Sequence, residues 1–299
     1  MTAAHFDLQQ TDAYAIWREK KLCSRPESLD DLLVEINNPY HLTDGERQKI
    51  LMGCERANMA IYAISKPEDT SKSLVHSLAS QLNLPAPDCN FLADEDAITS
   101  ITVAEQGTRT AYIPYTNRAI HWHTDGYYNS AEHTIRAMIL HCARPAIQGG
   151  DNQILDHELA YLQLRDENPE LIRALMQPDA MTIPEREDAD ANGVRSTRPA
   201  QSGPVFSVDS AAHLHMRYTA RTRSIEWASD ATTQAAVSAL KRILSESNPF
   251  ILRGRLEAGM GLICNNVLHD RSAFTDNVEN HRLLYRARYY QRLPDYLPQ

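Results

Sequence analysis

The sequence predicts a mixed α/β protein, in which a closed antiparallel β-sandwich carries flanking helices. Helical patterns fill most of the first 97 residues, and short β-rich runs begin near Ile98. There is no regular βαβ alternation and no glycine-rich phosphate loop, which argues against a parallel sheet. Candidate metal ligands also lie far apart on strand-like segments, which fits a sandwich whose neighbouring strands are remote in sequence.

Helix signals occur in both halves of the chain. A capping box at 43–46 opens a helix that runs through Ala57 and at most to Ile61, and a second helix begins near Asp69. Residues 157–176 also have a helical pattern, and Asp230 has the form of an N-cap for a later helix. We therefore expect helices on the outside of the sandwich.

The β-rich runs are short and widely spaced. They cover 101–103, 111–115, 134–142, 250–256, 261–267 and 282–290, with a turn at 148–151. The acidic segment 184–193 contains an Asn-Gly turn signal and is either a solvated hairpin tip or a mobile lid. We expect one domain over 1–299, in which a mostly helical part at 1–97 packs on a β core at 98–292.

Composition narrows the class of protein. The 299 residues are 42% hydrophobic, and a formal charge of −9 argues against a nucleic-acid partner. The five scattered cysteines form no Cys-x-x-Cys pair and indicate neither a disulfide framework nor a thiolate zinc site. No apolar run approaches the ~20 residues that span a bilayer, and the N-terminus lacks a signal-peptide pattern. We expect a cytoplasmic protein without a membrane partner, and a homo-oligomer stays open.

The segment around His123 and Asp125 carries the clearest chemistry. On a β-strand these two side chains point to one face, as does that of His121, and two ligands on one face are half of a metal site. His269 is the candidate third ligand. Two imidazoles and one carboxylate leave three positions of an octahedral ion open, which suits Fe(II) with a chelating co-substrate and O₂. Zinc accepts the same ligands, so the triad alone leaves a hydrolase open.

Arg282 and Arg286 share one face of the last predicted strand. An arginine that faces the interior of a sandwich is costly unless an anion meets it. Each arginine is therefore either an anion-binding residue or the partner of a buried carboxylate.

Taken together, these segments resemble the taurine dioxygenase (TauD/TfdA) branch of the Fe(II)/2-oxoglutarate-dependent oxygenases. The resemblance covers about residues 100 to 292 and rests on four segments: 122–125, 149–151, 266–274, and the arginines at 282 and 286. It implies a double-stranded β-helix, iron held by His123, Asp125 and His269, and a co-substrate carboxylate held by Arg282 with Arg286. Asn152 stands where the family usually has threonine, so its contact with that carboxylate is left open.

The implied reaction oxidises a small organic molecule and releases succinate and CO₂. Because Asp125 fills the carboxylate position, hydroxylation or a related oxidation is expected. Tyr127, Tyr128 and Arg221 are the candidate substrate-binding residues, although Arg221 also fits a surface salt bridge. A zinc-dependent hydrolase and a non-catalytic metal or 2-oxoglutarate sensor are the alternatives.

Overall fold

A computed structural model describes residues 4–65, 71–89, 93–189, 195–221, 223, 225–245, 247–277 and 279–296. Its α-helices are α1 (Thr11–Ser24), α2 (Asp44–Ala57), α3 (Ser73–Gln81), α4 (His157–Glu167), α5 (Pro169–Leu175) and α6 (Ala231–Ile243). The first ten strands are β1 (Leu33–Ile36), β2 (Met59–Ile64), β3 (Thr99–Ile101), β4 (Ile120–His123), β5 (Ala137–Arg144), β6 (Gln148–Gly149), β7 (Asn152–Leu155), β8 (Met181–Ile183), β9 (Arg186–Ala189) and β10 (Arg195–Arg198). The later strands are β11 (Gln201–Gly203), β12 (Phe206–Val208), β13 (Leu214–Met216), β14 (Glu226–Trp227), β15 (Leu252–Gly254), β16 (Met260–Cys264), β17 (Leu268–Arg271), β18 (Phe274–Thr275) and β19 (Leu283–Tyr289).

The chain divides into two compact units. The first unit comprises 1–25, 121–134 and 155–251, and the second comprises 26–120, 135–154 and 252–299. A single domain with a helical part at 1–97 stays a prediction. Among the described residues, no helix is both long and apolar enough to cross a membrane.

The second unit is built on a six-stranded sheet in the order β1-β2-β16-β5-β19-β3. Its described pairings are antiparallel except that of β1 with β2. Side chains of α2 and α3 join one apolar cluster with this sheet, including Ile50, Leu78 and Ile263. A second cluster combines residues of the sheet, such as Leu140, with Ile154 of β7 and Leu252 of β15. This layering confirms the predicted mixed α/β class with helices outside the sheets.

The first unit is mainly helical and carries short antiparallel strands. β11, β8 and β14 form a three-stranded sheet in that order, β9 pairs with β10, and β12 pairs with β13. Asn168 caps α5 with Pro169 as its first residue, and the Asp230 carboxylate caps α6 by accepting from the Thr233 amide at 2.9 Å. The predicted helix start at Asp230 is therefore confirmed, and α4 and α5 occupy the helical pattern predicted at 157–176.

One element takes the shorter of its predicted lengths, and another differs from the prediction. The helix opened by the Thr43 capping box ends at Ala57 instead of reaching Ile61, because Asn58 has φ 58° and ends it in a left-handed cap. Residues 111–115, predicted as a β-rich run, lie in short 3-10 helices, since Pro114 has no N–H to donate to a sheet. The expected helix start near Asp69 and the tip of the acidic hairpin at 190–194 lie outside the described residues.

Candidate active site

β4 brings His123 to the site, but Asp125 lies beyond the end of that strand. The amide of Thr124 donates to the Tyr218 carbonyl at 3.0 Å, and Gly126 then turns the chain with φ 68°. The prediction that His123 and Asp125 share one strand face is therefore wrong, because the strand ends between them. The two side chains still converge: His123 Nε2 lies 4.0 Å from Asp125 Oδ1. Both side chains therefore offer a metal-ligand atom to the same region.

His269 lies on β17 in the second unit and is buried. Its Nδ1 is 3.0 Å from the Val267 carbonyl, just as His123 Nδ1 is 2.9 Å from the His121 carbonyl. A carbonyl only accepts, so both Nδ1 atoms are protonated and both Nε2 atoms carry the lone pair that coordinates a metal.

His123 and Asp125 of the first unit and His269 of the second each offer a ligand atom of a type that binds a metal ion. Two neutral imidazoles with one carboxylate form the donor set that suits non-haem Fe(II), so the residues present fit that ion. His121 is exposed, consistent with a polar side chain outside the triad.

Arg282 occupies a pocket of the second unit. The pocket is lined by Pro145, Ala146, Gly149, Gly150, Asn152, Arg255, Leu256, Arg282 and Leu284. Arg282 is only 5% exposed, and burial lowers the pKa of its guanidinium to about 10. Neighbouring groups raise this pKa in some cases and lower it in others, so burial is the main cause of the shift. An arginine in such a position needs an anion to offset its charge.

The turn before β7 forms one wall of this pocket. Gly149 has φ +74°, and a Cβ there would lie 2.3 Å from the Ala273 carbonyl oxygen. Gly150 follows with φ +76°, and a Cβ there would lie 3.4 Å from Arg282 Nε. The glycine pair therefore lets the backbone approach both the next strand and the guanidinium.

A second pocket of the same unit adjoins the first, since Asn152 and Leu256 line both. It is lined by Leu29, Ile61, Leu140, Asn152, Ile154, Gly254, Leu256, Leu262 and His269. The pocket lined by the candidate ligand His269 is mostly apolar and shares part of its wall with the pocket of Arg282. Asn152 Nδ2 donates to the Asp270 carbonyl at 2.7 Å, which uses one of its two amide hydrogens.

Two further arginines lie close to Arg282. Arg255 is half-buried, donates to the Ala146 carbonyl at 2.8 Å, and lies 3.1 Å from the exposed carboxylate of Glu257. The guanidinium groups of Arg271 and Arg282 both lie over the Phe274 ring, at 4.8 and 5.0 Å. Burial and the charge of Arg282 lower the pKa of Arg271 to about 9. This region therefore has a strong positive potential.

Arg282 lies just before β19, and the two arginines of that strand have different surroundings. Arg288 is buried and forms an ion pair with the buried carboxylate of Asp88, which also accepts from the Tyr290 hydroxyl at 2.6 Å. This geometry supports the structural interpretation of Arg288. Arg286 lies half-buried on the same strand, opposite Leu140 of β5, and does not line the pocket of Arg282.

The candidate substrate residues lie in the first unit beside His123. The Tyr127 ring is edge-on to His123 at 6.5 Å and to Tyr128 at 5.2 Å. Burial raises the pKa of Tyr127, and the charge of the exposed Arg221 opposes that rise. Tyr127, Tyr128 and Arg221 are therefore brought together as predicted from the sequence.

The model of the family "Taurine catabolism dioxygenase TauD, TfdA family" matches residues 75–288 of this chain. The chain belongs to this family. Two curated relatives are named uridine-5′-phosphate dioxygenase. The one from Amycolatopsis sp is 30% identical, and the match covers 56% of this chain and 60% of the relative. The one from Streptomyces sp is also 30% identical, and the match covers 65% of this chain and 69% of the relative. The chain thus matches less than two thirds of the first relative's length.

Among solved structures, the non-heme iron oxygenase OrfP in complex with Fe and alpha-ketoglutaric acid matches with a TM-score of 0.59 and 15% identity. That alignment covers 83% of this chain and 80% of the other, and at this identity it shows the fold. Family membership confirms the predicted TauD/TfdA resemblance, and the structural match confirms the predicted double-stranded β-helix core.

The roles of the individual residues stay predictions. Sequence reasoning missed Arg255, Arg271 and Arg198, which all lie next to candidate site residues in the folded chain. No motif marks Arg255 or Arg198. Arg271 follows His269 closely in a TauD/TfdA motif segment, and that placement was the one available signal.

Proposed function

We propose that this chain is a working Fe(II)- and 2-oxoglutarate-dependent dioxygenase that oxidises uridine 5′-phosphate or a closely similar nucleotide. The observation that carries the dioxygenase assignment is the buried Arg282 pocket, which adjoins the pocket lined by His269. A metal-dependent hydrolase has no use for a buried cation at that place. A 2-oxoglutarate enzyme needs one for the carboxylate that is remote from the metal.

His123, Asp125 and His269 would hold the iron. The carbonyls that accept from the two Nδ1 atoms fix the tautomer and the ring orientation of both histidines. Asp125 is 5% exposed and contributes one negative charge, which favours a divalent ion at this buried site.

Arg282 would bind the far carboxylate of 2-oxoglutarate, with Arg255 as a second cation and Asn152 as an amide donor. The guanidinium fork binds a carboxylate through two hydrogen bonds, which also fixes the direction in which the co-substrate lies. Apolar side chains such as Leu140, Ile154 and Leu262 line the pocket beside His269 and would exclude water from it.

Bound iron with 2-oxoglutarate supplies O₂ activation, in which the keto acid becomes succinate and CO₂ and the substrate is oxidised. The protein orients the two organic molecules and keeps the site dry. Tyr127 and Tyr128 would contact the substrate, because they follow the metal-ligand segment directly and lie edge-on beside His123.

The names of two relatives at 30% identity support a nucleotide as the substrate. The decisive experiment measures succinate release from 2-oxoglutarate by the Fe(II) protein with uridine 5′-phosphate, uridine, taurine, asparagine or arginine. We expect uridine 5′-phosphate to stimulate release most strongly. Stimulation by an amino acid or by taurine alone would overturn the nucleotide assignment. Metal-dependent turnover that does not require 2-oxoglutarate would favour the zinc hydrolase.

The cellular setting is part of this proposal. Five free cysteines fit a reducing compartment such as the cytoplasm, and the acidic balance fits an enzyme without a nucleic-acid partner. Fractionation of the source cells tests the location.

A further inference from the structure

Arg198 lies beside the candidate substrate residues. It is the last residue of β10, at the end of the hairpin that β10 forms with β9. Its guanidinium donates to the Pro184 carbonyl at 2.8 Å and lies over the Tyr128 ring, 5.9 Å from the centroid. Tyr128 contacts Tyr127, which is edge-on to His123. A positive charge therefore lies on the aromatic pair next to a proposed metal ligand, all within the first unit.

Arg217 places a second positive charge in the same region. Its half-buried guanidinium donates to backbone carbonyls of Tyr127, Met181, Gln201 and Gly203 at 2.7–3.4 Å. Burial, together with the nearby charge of Arg198, lowers the pKa of Arg217 to about 10. Carbonyl dipoles orient this guanidinium, but they add no net negative charge. Two like charges at a partly dehydrated place favour the arrival of an anion.

The chemistry of this region selects the type of anion. Two or three guanidinium groups match a phosphate monoester, which carries about −1.5 to −2 charges at pH 7 and offers three acceptor oxygens. The exposed Arg221 acts on Tyr127 from the same side. The rings of Tyr127 and Tyr128 provide apolar surface for the rest of a nucleotide.

We propose that Arg198 and Arg221 bind the phosphate group of the substrate, and that Arg217 is the positioning residue that holds the Tyr127–Tyr128 segment for it. This inference rests on the proposed function and adds the residues that recognise the phosphate group. Arg217 acts through its bond to the Tyr127 carbonyl, at 2.8 Å, and its charge adds to the local potential.

The test is equilibrium binding of uridine 5′-phosphate and of uridine to the protein loaded with Fe(II) and 2-oxoglutarate under nitrogen, measured by calorimetry. The wild type should bind the phosphate ester more tightly than the nucleoside. Arg198→Gln should weaken binding of uridine 5′-phosphate by about tenfold to a hundredfold, since a hydrogen bond to a charged group is lost, and should leave uridine binding unchanged. Arg198→Lys should restore part of the loss, and inorganic phosphate should compete in the wild type only.

Arg242→Gln is the matched control, because Arg242 is an exposed arginine of the first unit that pairs with Glu167 and its loss changes the net charge equally. It should leave both affinities unchanged. Equal loss of uridine and uridine 5′-phosphate binding in Arg198→Gln, or no loss at all, would overturn the phosphate assignment. Binding of 2-oxoglutarate to the same variant reports on the co-substrate site. If 2-oxoglutarate binds but neither wild type nor variant binds a nucleotide, the phosphate assignment fails while the dioxygenase assignment stands.

Discussion

Replacing Arg282 by methionine should change protein stability and co-substrate affinity in opposite directions. The pKa of Arg282 falls from 12.5 to about 10 in the folded protein, so keeping this side chain charged costs about 3 kcal/mol. Because the folded pKa is the lower one, that cost is present in full below pH 10. The substitution removes the cost but also a cation–π contact with Phe274 worth about 0.5–2 kcal/mol. The free energy of unfolding without ligands should therefore rise by about 1–2.5 kcal/mol.

The affinity for 2-oxoglutarate should fall in the same variant. Removing one partner of a buried charged pair costs about 2–5 kcal/mol, which corresponds to about thirtyfold to several thousandfold. The charge of Arg255 remains in the pocket, so we expect the lower part of this range. Arg282→Lys should recover only part of the affinity, since an ammonium group lacks the planar fork. Titration of 2-oxoglutarate into the anaerobic Fe(II) protein, followed through its metal-to-ligand charge-transfer band, measures this.

Arg288→Met, on β19, which begins directly after Arg282, is the matched control. It leaves the buried carboxylate of Asp88 without its cation and should lower stability by about 3–5 kcal/mol, with little effect on 2-oxoglutarate affinity. Urea denaturation compares the variants. If Arg282→Met behaved like Arg288→Met, losing stability but keeping 2-oxoglutarate affinity, Arg282 would be a structural arginine and the co-substrate pocket would be wrong.

Three further predictions concern the other parts of the site. His269→Ala should abolish Fe(II) binding, measured by metal analysis after gel filtration, and leave the far-ultraviolet circular dichroism spectrum unchanged. His121→Ala should retain the iron. If His121→Ala lost the iron and His269→Ala kept it, His121 would be the ligand instead of His269. Tyr128→Ala should raise the KM of the primary substrate and leave that of 2-oxoglutarate unchanged, so steady-state kinetics that show equal losses would speak against a substrate contact. Gly149→Ala should lower the melting temperature and weaken 2-oxoglutarate binding, because its Cβ would meet the Ala273 carbonyl at 2.3 Å with φ +74°; a variant as stable as wild type would contradict the described turn.

The sequence alone determined the residue types of the reaction centre. Metal coordination needs imidazole and carboxylate groups, so His123, Asp125 and His269 were recognisable without any coordinates. A buried anion site needs a guanidinium, which pointed to Arg282. These inferences depend on the chemistry of single side chains and on local motifs, and both can be recognised within short segments of the sequence. Helix starts at Thr43 and Asp230 were readable for the same reason, because a cap is a contact between residues close in sequence.

Tertiary structure decided which distant groups join these residues. The end of β4 at His123 depends on hydrogen bonds between Thr124 and Tyr218, which no local pattern encodes. Arg255 reaches the pocket of Arg282 because β15 pairs with β7, and Arg198 reaches Tyr128 through the fold of the first unit. A surface arginine and a site arginine look alike in sequence. Only packing sets how much water each retains, and that determines whether its charge needs an anion.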